Sequence, residues 1–377
     1  MKATIIGGGI TGLATALAFE KMGIDYCLYE KAPELNEVGA GIWVSTNAMQ
    51  VLNWMGIANE IIENGQSLQQ IEIIDQRFRV IQSTHQKIFK EKLGFSGVAI
   101  HRGTLQKILY DHVPTKKMFW GYEAEKILEN ESGKVTVRFK NGSTVESELL
   151  IAADGIHSPI RKQLFHNTSL RDSGQICWRG ISEMELPKNM AGKSAESWGN
   201  QLRFGFSPIG PKQVYWFAVG NKNNGSENFK KPELQKLFSS FNPLVQELIG
   251  HTPEKDIIFR PLFDLKPIEN WHMERVMLVG DAAHATTPNM GQGAAQGIED
   301  AYYLSHYLRN TTTIEAAFQI FEENRRPKVN SIVNNSWTMG KLAHIKYGQT
   351  VRNFVLKNTP SSVMERRMLH IYSLKPF

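Results

Sequence analysis

At 377 residues the chain is long enough for two subdomains with well-buried cores, and no apolar run reaches the ~18 residues that a membrane-spanning helix requires. Its two cysteines, Cys27 and Cys177, lie far apart in apolar contexts and read as buried reduced thiols of a cytoplasmic protein, which excludes a disulfide framework. The net charge of +6 resides in residues 341–377, where seven basic residues meet one acid, Glu365, and no basic and aromatic module pattern suggests nucleic-acid binding.

From the amino terminus, residues 3–6 read as a buried β-branched strand that runs straight into Gly7-Gly8-Gly9-Ile10-Thr11-Gly12. With glycines starting at Gly7, no signal-peptide apolar region fits. Residues 13–22 are helix-like, and 26–29 form a second strand ending in Glu30. Gly7 suits a tight turn, Gly9 a close approach of backbone to a pyrophosphate, and Gly12 close packing of helix on strand. Glu30 can accept hydrogen bonds from ribose hydroxyls. A bare glycine repeat is a weak signal with a chance glycine turn as its bland alternative, but the strand–turn–helix–strand–acid context favours a dinucleotide. Gly39-Ala40-Gly41-Ile42 follows, and 100–105 puts Arg102 at a strand-to-helix junction. A third apolar strand, 149–153, ends in Asp154-Gly155, after which Ser158 can cap a helix that starts at Pro159.

Past residue 170 the character changes. Residues 175–184, 201–206 and 213–219 read as aromatic-rich strands joined by turns such as 207–211, with 71–95 in the same layer. Trp178, Arg179, Arg203, Tyr215, Trp216 and Phe217 are candidates to line a pocket for a flat substrate, although aromatic strand residues are more often plain core. Arg203, between Leu202 and Phe204, points to the opposite face, where it meets a substrate anion or reaches solvent. A short apolar strand, 276–279, then leads through Asp281 and a proline-stiffened, glycine-rich bend to a helix-like run, 298–308. This arrangement presents a carboxylate for a sugar hydroxyl, a side-chain-free surface for a flat ring, and helix-start N–H groups for a developing anion. His157 and His284 belong to these motifs and read as structural hydrogen-bonding groups, and nothing in the histidine spacing suggests a metal. Residues 341–377 read as helices packed on the cofactor domain with solvated lysines. The alternative is weak attraction to an anionic membrane or acidic partner through a stripe of Val355, Leu356, Met368, Leu369 and Ile371.

Taken jointly and in order, these motifs resemble the class A flavoprotein monooxygenases, the p-hydroxybenzoate hydroxylase-like family of FAD-dependent hydroxylases and epoxidases, over residues 1–328. The resemblance implies an α/β fold with an α+β substrate layer. A Rossmann-like FAD-binding domain (1–70, 98–170 and 265–340) would carry an inserted, mostly antiparallel β-sheet substrate domain (71–97 and 171–264) and a basic C-terminal helical segment (341–377). It implies that Gly7, Gly9, Ile10, Thr11 and Gly12, with Glu30 and Lys31, hold the adenosine-diphosphate half of FAD. Gly41 and Arg102 would contact FAD, and Asp154 with Gly155 both FAD and NAD(P)H. Asp281 would meet the ribityl chain, and Pro288, Gly291, Gln292, Gly293 and Ala294 the isoalloxazine ring. Arg179, Arg203 and Tyr215 would be the substrate-pocket candidates.

The implied activity consumes NADH or NADPH and dioxygen and, through a flavin hydroperoxide, inserts one oxygen atom into an aromatic or conjugated small molecule by hydroxylation or epoxidation. The alternative is a flavin-dependent dehydrogenase or reductase on the same scaffold. Disulfide reductases, halogenases and Baeyer–Villiger enzymes are set aside, because the chain has no Cys-x-x-Cys, Trp-x-Trp-x-Ile or Phe-x-Gly-x-x-x-His. The stretch 203–208 with Tyr215-Trp216-Phe217 is similar to the substrate region of FAD-dependent urate hydroxylases. Asn289, however, stands where those have an aspartate, and an asparagine cannot act as a carboxylate base. Zeaxanthin epoxidase-like and salicylate hydroxylase-like relatives are equally admissible.

Overall fold

Mainly apolar strands gather into one sheet in the computed structural model, which describes residues 1–35, 39–128, 133–166, 168–224 and 230–377. Its order is His272–Met273, Val276–Leu278, Leu149–Ala152, Lys2–Ile6, Asp25–Glu30 and Met118–Trp120. All neighbours are parallel except the first pair. Leu149–Ala152 is buried along its whole length, as expected of a parallel strand covered on both faces. Register then does something the separate strands do not reveal: Ile6 lies beside Ala152 and Ala152 beside Leu278. The three segments that follow, at Gly7, Asp154 and Asp281, therefore emerge together at the carboxyl edge, where open α/β sheets bind ligands.

The opening helix spans Ile10–Met22, three residues earlier than the sequence suggests, with extended Gly9 as its N-cap and left-handed Gly23 ending it. Leu13, Ala14, Ala16 and Phe19 are wholly buried, so the helix lies inside over most of its length and meets solvent at Glu20 and Lys21. It packs along the helix Gly293–Asn310, which begins five residues before the expected 298.

A seven-stranded sheet forms the second layer, in the order Ile258–Leu265, Leu170–Ser182, Gln213–Asn221, Arg203–Gly210, Lys193–Trp198, Gln70–Asp75 and Val80–His85. Its pairings are antiparallel apart from Lys193–Trp198 with Gln70–Asp75. The stretch 207–211 is not the expected turn, since the strand Arg203–Gly210 runs through Pro208 and reverses only at 211–212. Pro208 has no N–H to give its ladder, and the register shifts between Pro208 and Gly210.

Side-chain parity in this sheet decides the pocket. Trp178, Phe204, Phe206 and Trp216 share one face with Leu234, Phe238 and Leu248 of the covering helices. Phe204 stacks on Trp216 at 5.5 Å, and the Trp216 indole donates to Thr252 Oγ1 at 2.8 Å. Trp178 and Trp216 are thus core residues, which corrects their reading as pocket candidates. Cys177, Arg179, Arg203, Tyr215 and Phe217 alternate onto the other face. Cys177 is buried and free, whereas Cys27 is free but only half-buried, short of the burial expected from its strand.

The chain closes with a long helix, Ile314–Ala343, and two shorter ones, Gln349–Lys357 and Ser361–Tyr372. Among the described residues no helix is long and apolar enough to cross a membrane.

Candidate active site

The glycine turn and the late loop touch. A Cβ on Gly12 would collide with the Gly7 carbonyl, and one on Gly280 or Gly297 would collide with the Thr11 side chain. Thr11 is thereby clasped between the two ends of the described fold. A Cβ at Gly9 would meet nothing within 4 Å, which leaves that backbone open to a ligand. Glu30 braces the turn: Oε2 accepts from the Gly8 N–H at 2.5 Å and Oε1 from the Ala32 N–H at 2.9 Å. Each oxygen keeps a second acceptor site for a ribose hydroxyl. Gln106, which the sequence reading missed, donates to the Gly8 carbonyl at 2.9 Å. It lies one turn beyond Arg102 on the helix Arg102–Asp111, and that i, i+4 spacing was the available signal. Lys31 is exposed.

Asp281 opens the one-turn helix Asp281–His284. Its side chain is accessible yet ringed by protein, so desolvation raises its carboxyl while His284, Arg102 and Arg161 oppose the rise. Arg161 also fixes the backbone here, donating to the Ala282 carbonyl at 2.9 Å and to that of Ile156 at 2.5 Å. Ser158 caps the helix Pro159–Leu164 as expected, accepting from the Arg161 N–H at 2.9 Å. Neither carboxylate oxygen of Asp154 has a partner of hydrogen-bonding geometry. Desolvation pushes its carboxyl up to about 6, with Ser158 and Arg161 near enough to moderate the shift. Gly155 follows it with φ +81°. Arg102 is exposed and lies near Asp281. Protein around it lowers its guanidinium, Asp281 pulls upward, and Arg179 across the cleft lowers it further.

The late loop is held from behind by a buried charge network that sequence reading did not find. His284 Nε2 and Asp300 Oδ2 lie 2.6 Å apart, and Asp300 also accepts from the Gly280 N–H at 2.9 Å. Arg325 donates to Asp300 at 2.9 Å and to Glu299 at 2.5 Å. The signal was present: Glu299-Asp300 is an acidic pair inside an otherwise core-facing helix. His284 is structural, whereas His157 is exposed rather than the expected structural group. Pro288 and Asn289 form a short 3-10 turn, from which Asn289 donates to Thr287 Oγ1 and to the Ser336 carbonyl, both at 2.9 Å. Gly291 packs on the Trp43 ring. Gln292 turns inward, donating to Ser45 Oγ at 3.0 Å and accepting from Asn47 at 3.1 Å. Gly293 and Ala294 start the following helix.

Across the cleft, the ring of Tyr215 packs on Gly41. Burial raises its phenol above the ordinary value, with Arg179 opposing. Arg179 Nε donates to Cys177 Sγ at 3.4 Å. Arg203 neither reaches solvent nor presents a free charge. It is 2% exposed, donates to Glu196 Oε1 at 3.0 Å and to Gln175 Oε1 at 3.2 Å. Trp43, Ile71, Ile181 and Tyr215 gather around Leu68, Ala99 and Ile209 in a small apolar cluster between the layers.

An FAD-sized dinucleotide suits these residues on three counts: the open Gly9 backbone, the unpartnered carboxylate of Asp154, and the accessible but desolvated Asp281. Comparison with known proteins agrees. The model of the FAD binding domain family matches residues 1–336. An aurachin C monooxygenase/isomerase of Stigmatella aurantiaca is 34% identical over 340 residues, 90% of this chain and 88% of that protein. A 2-heptyl-3-hydroxy-4(1H)-quinolone synthase of Pseudomonas aeruginosa is 29% identical over 98% of this chain and 97% of its own. The crystal structure of Klebsiella pneumoniae HpxO complexed with FAD and uric acid superposes with a TM-score of 0.91 at 27% identity, over 99% of this chain and 96% of that one. The chain belongs to the FAD binding domain family and is a single-component FAD-dependent monooxygenase of the class A flavoprotein kind.

Proposed function

We propose that the protein inserts one atom of dioxygen into an uncharged, flat heteroaromatic molecule of the 4-quinolone kind that bears an apolar substituent, with NADH or NADPH as electron donor. The observation that carries this reading is the pair of Arg203 with Glu196. Of the two arginines on this face, the fully buried Arg203 is already neutralised from within by Glu196, which leaves less positive charge to hold an anionic substrate. Trp43, Ile71, Ile181, Tyr215 and Phe217 supply an apolar, partly aromatic wall. Two of the relatives above are named for aurachin C and for a 2-heptyl-3-hydroxy-4(1H)-quinolone, which supports the same choice.

Bound FAD supplies the electron transfer and oxygen activation that side chains cannot. In this reading Gly7, Gly9 and Gly12, with Ile10 and Thr11 at the helix start, take the pyrophosphate, and Glu30 beside Lys31 takes the ribose. Arg102, Asp154 and Asp281 supply charged hydrogen bonds along the linking chain. Pro288 and residues 291–294 wall the ring, and the amino end of the helix Gly293–Asn310 favours negative charge on it. Tyr215, kept protonated by burial, donates to a substrate oxygen, and Arg179 adds positive potential beside it. His284 is engaged by Asp300 and is not available as a base, so the substrate ring must itself be electron-rich. The division into a flavin part (1–70, 98–170, 265–340) and a substrate part (71–97, 171–264) belongs to this proposal.

The test is NAD(P)H consumption by the yellow holoprotein with 2-alkyl-4(1H)-quinolones, urate and salicylate, with mass spectrometry of the products. The quinolones are expected to stimulate consumption most and to gain one oxygen atom. Faster turnover of urate or salicylate would overturn the reading.

A further inference from the structure

The helix Gln349–Lys357 is built inside out. Its inward side carries Arg352, which is 5% exposed, donates to the Leu342 and Ala343 carbonyls at 3.3 and 3.0 Å and lies over the Trp198 ring at 5.0 Å. Arg352 thus caps the long helix Ile314–Ala343 and faces protein on every side. The outward side carries Val351, Phe354 and Val355, which are 67, 67 and 56% exposed, and Tyr347 just before the helix is 78% exposed. Positions i, i+3 and i+4 share one face, so these side chains form a single apolar stripe. More than half of the exposed large apolar side chains among the described residues fall between 342 and 363.

The surroundings of the stripe are basic. Lys346 holds its ammonium over the Tyr347 ring at 5.2 Å. Lys357 ends the helix, and Arg366 and Arg367 follow the exposed Val363 at i+3 and i+4 on the next helix, all three basic groups exposed. Residues 341–377 hold the whole net charge of +6 with a single acid. A second copy docking stripe to stripe would bring that charge against itself. An anionic lipid surface meets both features at once, with headgroups for the cations and the acyl boundary for the stripe.

We propose that this face docks the protein reversibly on an anionic membrane surface. The stripe recorded here differs from the one drawn from sequence: Val355 belongs to it, but Leu356, Met368, Leu369 and Ile371 are half-buried. The proposal stands apart from the choice of substrate, since it rests on a surface distant from the flavin loop in sequence and chemistry. Its test is co-sedimentation of the FAD-loaded protein with vesicles of phosphatidylcholine alone or mixed equally with phosphatidylglycerol. The mixed vesicles are expected to carry down roughly tenfold more protein, less at high salt. Val351→Gln, Phe354→Gln and Val355→Gln together should abolish this while the bound-flavin absorbance stays unchanged, and Lys346→Glu with Lys357→Glu should do the same through charge alone. Equal sedimentation with both vesicles, or sedimentation indifferent to both variants, would overturn the proposal. So would a solution dimer that the triple variant splits, since a second copy would then cover the stripe.

Discussion

Asp300 and Asp154 are both carboxylates that burial alone would raise, and of the two Asp300 has neighbours that outweigh burial whereas Asp154 does not. For Asp300, His284, Arg325 and the Gly280 N–H outweigh burial and hold the carboxyl down to about 2. The folded value lies below the ordinary ~3.9, so its contribution is complete above that pH and fades as pH falls toward 2, on the order of 2–3 kcal/mol. Asp300→Asn should flatten that limb of an acid-unfolding curve, and an unchanged limb contradicts the assignment. Asp154 is the reverse case. With its carboxyl pushed up to about 6, the FAD-free fold loses stability as pH rises from ~4 to ~6 and stays lower at neutral pH. Asp154→Asn should therefore stabilise the FAD-free protein at neutral pH by ~2 kcal/mol, while weakening FAD binding in a fluorescence titration. A lowered melting temperature of the FAD-free variant would speak against this. Glu196→Gln leaves Arg203 buried without a counter-charge, at a cost of ~2–4 kcal/mol. Salicylate should then raise the melting temperature of the variant but not of the parent protein, because the anion replaces the lost carboxylate.

Helices and strands differ in how openly their sequences declare them. The three loops at the carboxyl edge were legible because each is local: an apolar strand, then a glycine or acid, at Gly7, Asp154 and Asp281. The strand Lys193–Trp198 was not, because Lys-Ser-Ala-Glu-Ser-Trp lacks the β-branched run that marks a strand. It forms by pairing with Arg203–Gly210 on one side and Gln70–Asp75 on the other. Glu196, and with it the state of Arg203, was hidden for that reason. The start of the helix Gly293–Asn310 was also misplaced, since glycines at 293 and 297 are poor helix formers. Gly297 is there because the Thr11 side chain occupies the space of its Cβ. Arg325 joins this helix to Ile314–Ala343 through Glu299 and Asp300. Arg325→Leu should cost ~3–5 kcal/mol, since two buried carboxylates lose the cation they share, with Lys328 left to Glu299 and His284 to Asp300. A denaturant midpoint within error of the parent protein would show the network to be incidental.

At the scale of the whole molecule, a chain that is neutral over residues 1–340 folds its first turn against its late loop and leaves its positive charge on the closing helices. Groups that suit FAD gather at the carboxyl edge of one sheet, and the facing side of the other carries Arg203, which Glu196 neutralises from within. In the proposed reading the oxygen passes to an uncharged ring. The most direct measurement is turnover of a 2-alkyl-4(1H)-quinolone by the holoprotein under isotopically heavy dioxygen, with NAD(P)H consumed and label in the product counted together. One labelled oxygen per product, with consumption matching product plus peroxide, is the predicted result; NAD(P)H oxidation that yields an altered organic product carrying no label would contradict it.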